Sequence, residues 1–163
     1  MGIASGDFNL DGHEDLFVTN IVGEITQNCL MTRTRRISRF VTNLYDHELR
    51  HYGVNAPQFS LLVLIAKLGS ASRAEIGRAN YQDRSTLTRN LALLLNEGWI
   101  EEKVSEKGGR SRPIILSQAG KDLLTSAAPA WRLAQTKARA LLGAEGVAAV
   151  LDVADSLPLG EVE

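Results

Sequence analysis

From Ile21 onward the apolar positions fall into helical and then strand-like periods. Ile37, Phe40, Val41, Leu44, Tyr45 and Leu49 recur at helical spacing, with Arg35, Arg36, Arg39 and Asn43 between them. Apolar residues three and four apart share one face of a helix. The pattern predicts an amphipathic helix over roughly 21–51, ended before Gly53. Asn55 can cap a second helix, with Pro57 in its first turn. The run Phe59–Leu68 is apolar on nearly every side. A helix apolar all round is a buried one, which places this run at the centre of the domain. Ser72-Arg73-Ala74-Glu75 is a capping box. It opens a short helix over 73–79 that buries Ile76 and Ala79. After a turn at Asn80–Gln82, Asp83 caps a helix over about 84–97, ended by Gly98. Leu87, Leu91, Leu94 and Leu95 form its core stripe, and Ser85, Thr88, Arg89 and Ala92 a polar or small one.

Trp99–Val104 and Arg112–Leu116 then read as strands joined through Gly108-Gly109, the residues a hairpin tip requires. Pro113 cannot donate to a ladder, so it is expected at a bulge or a free edge. Ser117 caps a helix near 118–142 that Pro129 should kink or split and Gly143 should end. A last helix follows over about 144–156. Capped helix, short turn, capped helix and basic hairpin together make a winged helix-turn-helix. The fold class expected is mainly α with a small β-hairpin wing.

The outward side chains near the start of the 84–97 helix are Arg84, Ser85, Thr86, Thr88, Arg89 and Asn90. Arg can fork onto guanine O6 and N7, Asn can bridge adenine N6 and N7, and a Thr methyl can meet the thymine methyl. A helix that is merely solvated tends to carry Glu/Lys pairs, and residues 84–93 hold no Glu, Asp or Lys. The wing carries Lys107, Arg110 and Arg112. A basic wing beside a helix-turn-helix can follow the DNA backbone or enter the minor groove, whose negative potential attracts Arg. Arg73, at the start of the preceding helix, is placed to hold a phosphate.

Charge sharpens this picture. The chain has 163 residues and a formal charge of −1. Residues 1–31 and 143–163 each hold five acids and no Lys or Arg. All 18 Lys and Arg therefore lie in 32–142, beside nine acids, for a local charge of +9. A basic block between acidic ends suits a polyanion partner, or a solvated surface. With 44% apolar residues the chain can bury a core. No stretch is long and apolar enough to span a membrane. No secretory signal is visible. The single cysteine, Cys29, excludes an internal disulfide and suits a reducing cytoplasm. No cofactor is implied.

Residues 29–156 resemble the MarR family of transcriptional regulators. The resemblance rests on Leu44-Tyr45-Asp46, Gly53-Val54, Gln58-Phe59, the run Asp83 to Leu91, Gly98-Trp99-Ile100, the wing arginines and Leu116-Ser117-Gln118-Ala119-Gly120. It implies a homodimer whose helical dimerisation region comes from 21–54 and 118–163, with 55–117 as the DNA-binding lobe. Two lobes would read a pseudo-palindrome in double-stranded DNA. It further implies repression relieved by a small aromatic or phenolic effector, met near Tyr45, His51, Tyr52, Gln58 and Phe59, or by an oxidant. The family's wing carries Asp-x-Arg-x-Arg, whereas this chain has Gly108-Gly109-Arg110-Ser111-Arg112. The acid that buttresses the wing arginines is missing, which predicts a looser wing. It also leaves open a dimer that binds small molecules or proteins and has lost specific DNA binding.

Cys29 raises a redox reading, since some relatives sense peroxides with a cysteine in the first helix. By the same resemblance that cysteine would fall at Met31, and the tyrosine that tunes it at Ala56. A two-residue offset turns Cys29 about 200° around an ideal helix. The alternative is a small apolar residue buried at a dimer interface. A reactive thiol needs a lowered pKa. Residues 1–20 form an acidic extension foreign to the rest. Asp7, Asn9, Asp11 and Asp15, with Gly12, resemble one calcium loop of an FG-GAP repeat. A single repeat cannot bury its own face, which leaves a tail, a foreign fragment or a weak calcium site. His13, His47 and His51 form no nucleophile or metal arrangement, so no enzyme is expected.

Overall fold

The computed structural model describes residues 5–6, 15–16, 27–103 and 112–157. The chain divides into two compact units, Met1–Val41 and Thr42–Glu163. In the first unit, β1 (Ser5–Gly6) and β2 (Asp15–Leu16) pair antiparallel, Ser5 opposite Leu16 and Gly6 opposite Asp15.

The first long helix, α1, runs over Leu30–Leu49. Residues 27–28 are helical too, set off from α1 by Cys29, and residues 21–26 of the expected helix lie outside the described residues. Cys29 stands just outside it, its carbonyl accepting from Arg33 N at 3.1 Å. At the other end Arg50–Tyr52 tighten into a 3₁₀ turn, closed by Gly53 at φ +70°. α2 (Ala56–Leu68) begins at the expected Asn55–Gln58 capping box. It buries Phe59, Leu61, Leu62 and Ile65 but exposes Val63 and Leu68. Burial on every side was therefore wrong, because neighbours cover only one broad face of this helix.

α3 (Arg73–Ala79) and α4 (Arg84–Asn96) follow, with Ile76, Leu87, Leu91 and Leu94 turned into the core. β3 (Ile100–Glu102) pairs antiparallel with β4 (Ile114–Leu116). Both strands are shorter than predicted. Trp99 N is taken by Leu94 O at 3.0 Å at the close of α4. At the other end Lys103 N reaches Pro113 O at 2.8 Å. Proline has no N–H to return, so Pro113 ends the ladder and marks neither a bulge nor a free edge. The outer side of β4 is bridged by Ala71, which exchanges two backbone hydrogen bonds with Ile114.

The final helix, α5 (Gln118–Ser156), is interrupted at Gly143, where φ is +69° and ψ 171°. It continues through Pro129 without a split, so of the expected kink or split only the split is excluded. Proline removes one bond of the ladder, and Ala127 and Ala130, packed against the core on either side, hold the backbone in place. Ser117 caps α5, its hydroxyl accepting from Gly120 N and donating to Gly98 O. The core gathers Leu49, Val54, Leu61, Leu62, Ile65, Ile76, Leu91, Leu94, Ile100 and Ile114, with α5 laid across it through Ala127. Among the described residues no helix is long and apolar enough to cross a membrane.

Candidate nucleic-acid interface

The turn between α3 and α4 is set by short-range chemistry. The Ser72 hydroxyl accepts from Glu75 N, and the Glu75 carboxylate accepts from Ser72 N at 2.7 Å, which anchors the start of α3. Gly77 lets α4 come close: a Cβ there would lie 3.2 Å from Leu87 Cδ2. The chain reverses through Tyr81, held at φ +49°. Asp83 then caps α4, taking Ser85 N, Thr86 N and the Ser85 hydroxyl on one oxygen. The Ser85 hydroxyl, then the Thr86 hydroxyl and amide, hold the Asp83 carboxyl far below the ordinary carboxylate range.

With Leu87, Leu91 and Leu94 buried, the opposite face of α4 must look outward. Arg84, Ser85, Thr88 and Arg89 are exposed, and Thr86 and Asn90 are half-buried. Some of this polar capacity is already satisfied. The Ser85 hydroxyl donates to Asp83, and the Thr88 hydroxyl donates to Arg84 O at 2.7 Å. Their oxygens remain acceptors. Arg84 and Arg89 carry the positive charge of this face and make no ion pair among the described residues. Between α3 and α4 lies a cleft of about 720 Å³, lined by Arg73, Arg78, Arg84 and Thr88 over an apolar floor at Gly77 and Leu87. Beside them the Gln82 amide oxygen is buried without a hydrogen-bond partner among the described residues.

Arg73 and Arg112 meet at Glu102. Arg73 Nη2 donates to Glu102 Oε1 at 2.6 Å, and Arg112 Nη1 lies 3.8 Å from Glu102 Oε2. Glu102 escaped notice in the sequence. The signal available was strand alternation, because Glu102 lies two residues after the buried Ile100 and so points to the same side. Lys107 and Arg110 lie outside the described residues.

The effector residues implied by resemblance have separate surroundings. The Tyr45 hydroxyl donates to Gln135 Oε1, and its burial raises its pKa against the opposing pull of Arg139. Gln58 Oε1 is taken by Asn55 N at 3.0 Å, and Phe59 lies in the core. Tyr52 is half-buried and His51 exposed. None of these five lines the cleft between α3 and α4. Hydrogen bonds from the Thr32 hydroxyl and amide hold the half-exposed Cys29 thiol below its ordinary pKa. The Arg33 guanidinium is not aimed at that thiol but donates to Gln27 O at 2.8 Å. Asp7, Asn9 and Asp11 lie outside the described residues, and Asp15 is described only through its backbone pairing in β2. Among the described residues no three His, Cys, Asp or Glu side chains gather as a metal site.

Comparison with known proteins agrees with this architecture. The MarR family model matches residues 52–111, the stretch from the end of the 3₁₀ turn into the wing. No curated protein sequence matches the chain. Among solved structures, a mutant MarR from E. coli complexed with operator DNA is 20% identical, with a TM-score of 0.73 over 83% of this chain and 98% of that one. A probable transcriptional regulator from Pseudomonas aeruginosa is 21% identical, with a TM-score of 0.70 over 80% of this chain and 98% of that one. The M. tuberculosis transcriptional regulator MosR, in complex with DNA, is 29% identical, with a TM-score of 0.64 over 78% of this chain and 97% of that one. The MarR family model thus lies on the winged lobe, and the fold of these MarR-type structures extends along most of the chain.

Proposed function

We propose that the protein is a sequence-specific DNA-binding transcriptional regulator, a homodimeric repressor on a pseudo-palindromic operator. The outward face of α4 carries this reading: two exposed arginines and three small hydroxyl residues, with no acid or lysine over 84–93. A major-groove reader needs that set. Arg84, Ser85, Thr86, Thr88, Arg89 and Asn90 would meet base edges, and Arg112, with Lys107 and Arg110, the backbone or minor groove. The similar E. coli MarR and M. tuberculosis MosR structures, both complexed with DNA, support the same reading. So does the later part of α5, where Leu141, Val150, Leu151 and Val153 stay exposed and a second copy would cover them.

The effector belongs to the same proposal. With Gln58 engaged in a cap, the Tyr45 hydroxyl engaged with Gln135 and Phe59 in the core, His51 and Tyr52 are the residues left to meet a phenolic ligand. The reading as a dimer without specific DNA binding rested on the missing wing acid and on the acidic tail. The first of these grounds weakens, because Glu102 brings a carboxylate within 3.8 Å of Arg112.

The test is selection of genomic fragments by the purified protein near physiological salt, followed by sequencing. Enrichment of a pseudo-palindrome is expected. Arg89→Ala should then weaken binding to it by about 1–3 kcal/mol. An intact dimer that enriches nothing would overturn the proposal.

A further inference from the structure

Two arginines from different elements share one carboxylate. Arg73 is the first residue of α3, Glu102 the last of β3, and Arg112 stands two residues before β4. Glu102 gives one oxygen to each arginine, at 2.6 and 3.8 Å. A carboxylate has lone pairs enough for both, and each guanidinium keeps further donors. The Glu102 side chain is 25% exposed, whereas that of Arg112 is 71% exposed. One side chain thus ties the helix-turn-helix to the base of the wing and leaves the outer arginine open to solvent.

We propose that Glu102 is a positioning residue that sets DNA specificity, an inference that rests on the DNA-binding reading above. It acts in two ways. A guanidinium already held in place loses less side-chain freedom on binding. That favours a duplex whose phosphates fit the held geometry, which is the operator. The Glu102 charge also repels phosphate on any sequence and so lowers sequence-independent binding. The first effect widens the gap between operator and other DNA, and the second weakens binding to both alike.

The test compares wild type with Glu102→Gln, which keeps the shape and removes the charge. Affinities are measured for the duplex recovered by genomic selection and for a shuffled duplex of equal length. The ratio of the two should fall about fivefold in the variant, the upper range for a partly exposed ion pair, with shuffled DNA bound more tightly. A merely stabilising residue would not shift that ratio. Equal gains on both duplexes would make Glu102 a simple charge mask and overturn the proposal, as would no change on either.

A second readout needs no DNA. The Nε–H resonances of Arg73 and Arg112 in the free protein should be dispersed in wild type and move together towards free-arginine positions in Glu102→Gln. Unmoved resonances would mean that no clamp exists. A wild type that selects no duplex overturns the DNA reading and the specificity role with it, and the resonances then decide the clamp by themselves.

Discussion

The two halves of α5 are built from the same kinds of residue, and both expose large apolar side chains (Leu133 and Leu141 before Gly143, Val150 and Leu151 after it), but only the first half also buries residues. In the first half Ala127, Ala134 and Ala138 are buried, and Leu123, Leu124 and Ala130 lie against the core or beside it. Small residues let the helix approach closely, and Gly120 takes this furthest. Beyond Gly143, Val150 and Leu151 remain about half exposed, and Val153 is 61% exposed. A run of exposed large apolar side chains marks an interaction surface. The winged lobe closes its own core, whereas α5 beyond Gly143 buries no side chain among the described residues. Stability of the lobe and assembly of the protein should therefore respond to different substitutions.

The largest effect is expected at the closest contact of the lobe. A Cβ on Gly120 would lie 2.1 Å from the Trp99 carbonyl oxygen and 2.8 Å from Leu116 Cδ1. A backbone oxygen cannot swing aside as a side-chain tip can. Gly120→Ala should cost more than about 4 kcal/mol, read by urea unfolding. Stability within about 1 kcal/mol of wild type would show that the helix shifts outward freely, and would weaken the contrast between the halves.

Next come matched truncations. Leu94→Ala removes a fully buried side chain of the lobe and should cost about 2–5 kcal/mol. Leu151→Ala in the second half should leave lobe unfolding nearly unchanged. Charge sharpens the difference: Leu141→Asp with Leu151→Asp should yield a folded monomer in sedimentation, with operator affinity lost. A dimer that survives both aspartates would place its interface elsewhere.

This contrast also separates what the sequence could express from what it could not. The caps at Asn55, Ser72, Asp83 and Ser117 were legible because each bonds to amides only two or three residues away. The core stripe of α4 was legible because period and burial agreed. The continuity of α5 through Pro129 was not, because a local proline rule allows either a kink or a break. The Glu102 clamp was hidden for a different reason: it joins residues 29 positions apart at one end and crosses the wing at the other. The polar face of α4 could be read from residue types, but the engagement of the Ser85 and Thr88 hydroxyls with their own helix required coordinates.

The smallest effect concerns two caps that differ in one respect. Asp83 begins α4 and Ser117 begins α5, each with a side-chain oxygen accepting from the first-turn amides. Only Asp83 titrates. Its folded pKa is depressed, first by the Ser85 hydroxyl and then by Thr86. Its stabilising contribution is therefore complete above the unfolded value, about 4, and fades as pH falls below that towards the folded pKa. Acid should loosen the start of α4 before the start of α5. Amide exchange measured as pH drops from neutral should show Thr86 losing protection, after correction for intrinsic rates, while Gly120 holds. In Asp83→Asn the amide oxygen still accepts but no longer titrates, so this pH dependence should flatten. Parallel loss at Thr86 and Gly120 in both proteins would mean that acid opens the lobe as one unit, and the Asp83 cap would then have no separate part in holding the reading helix.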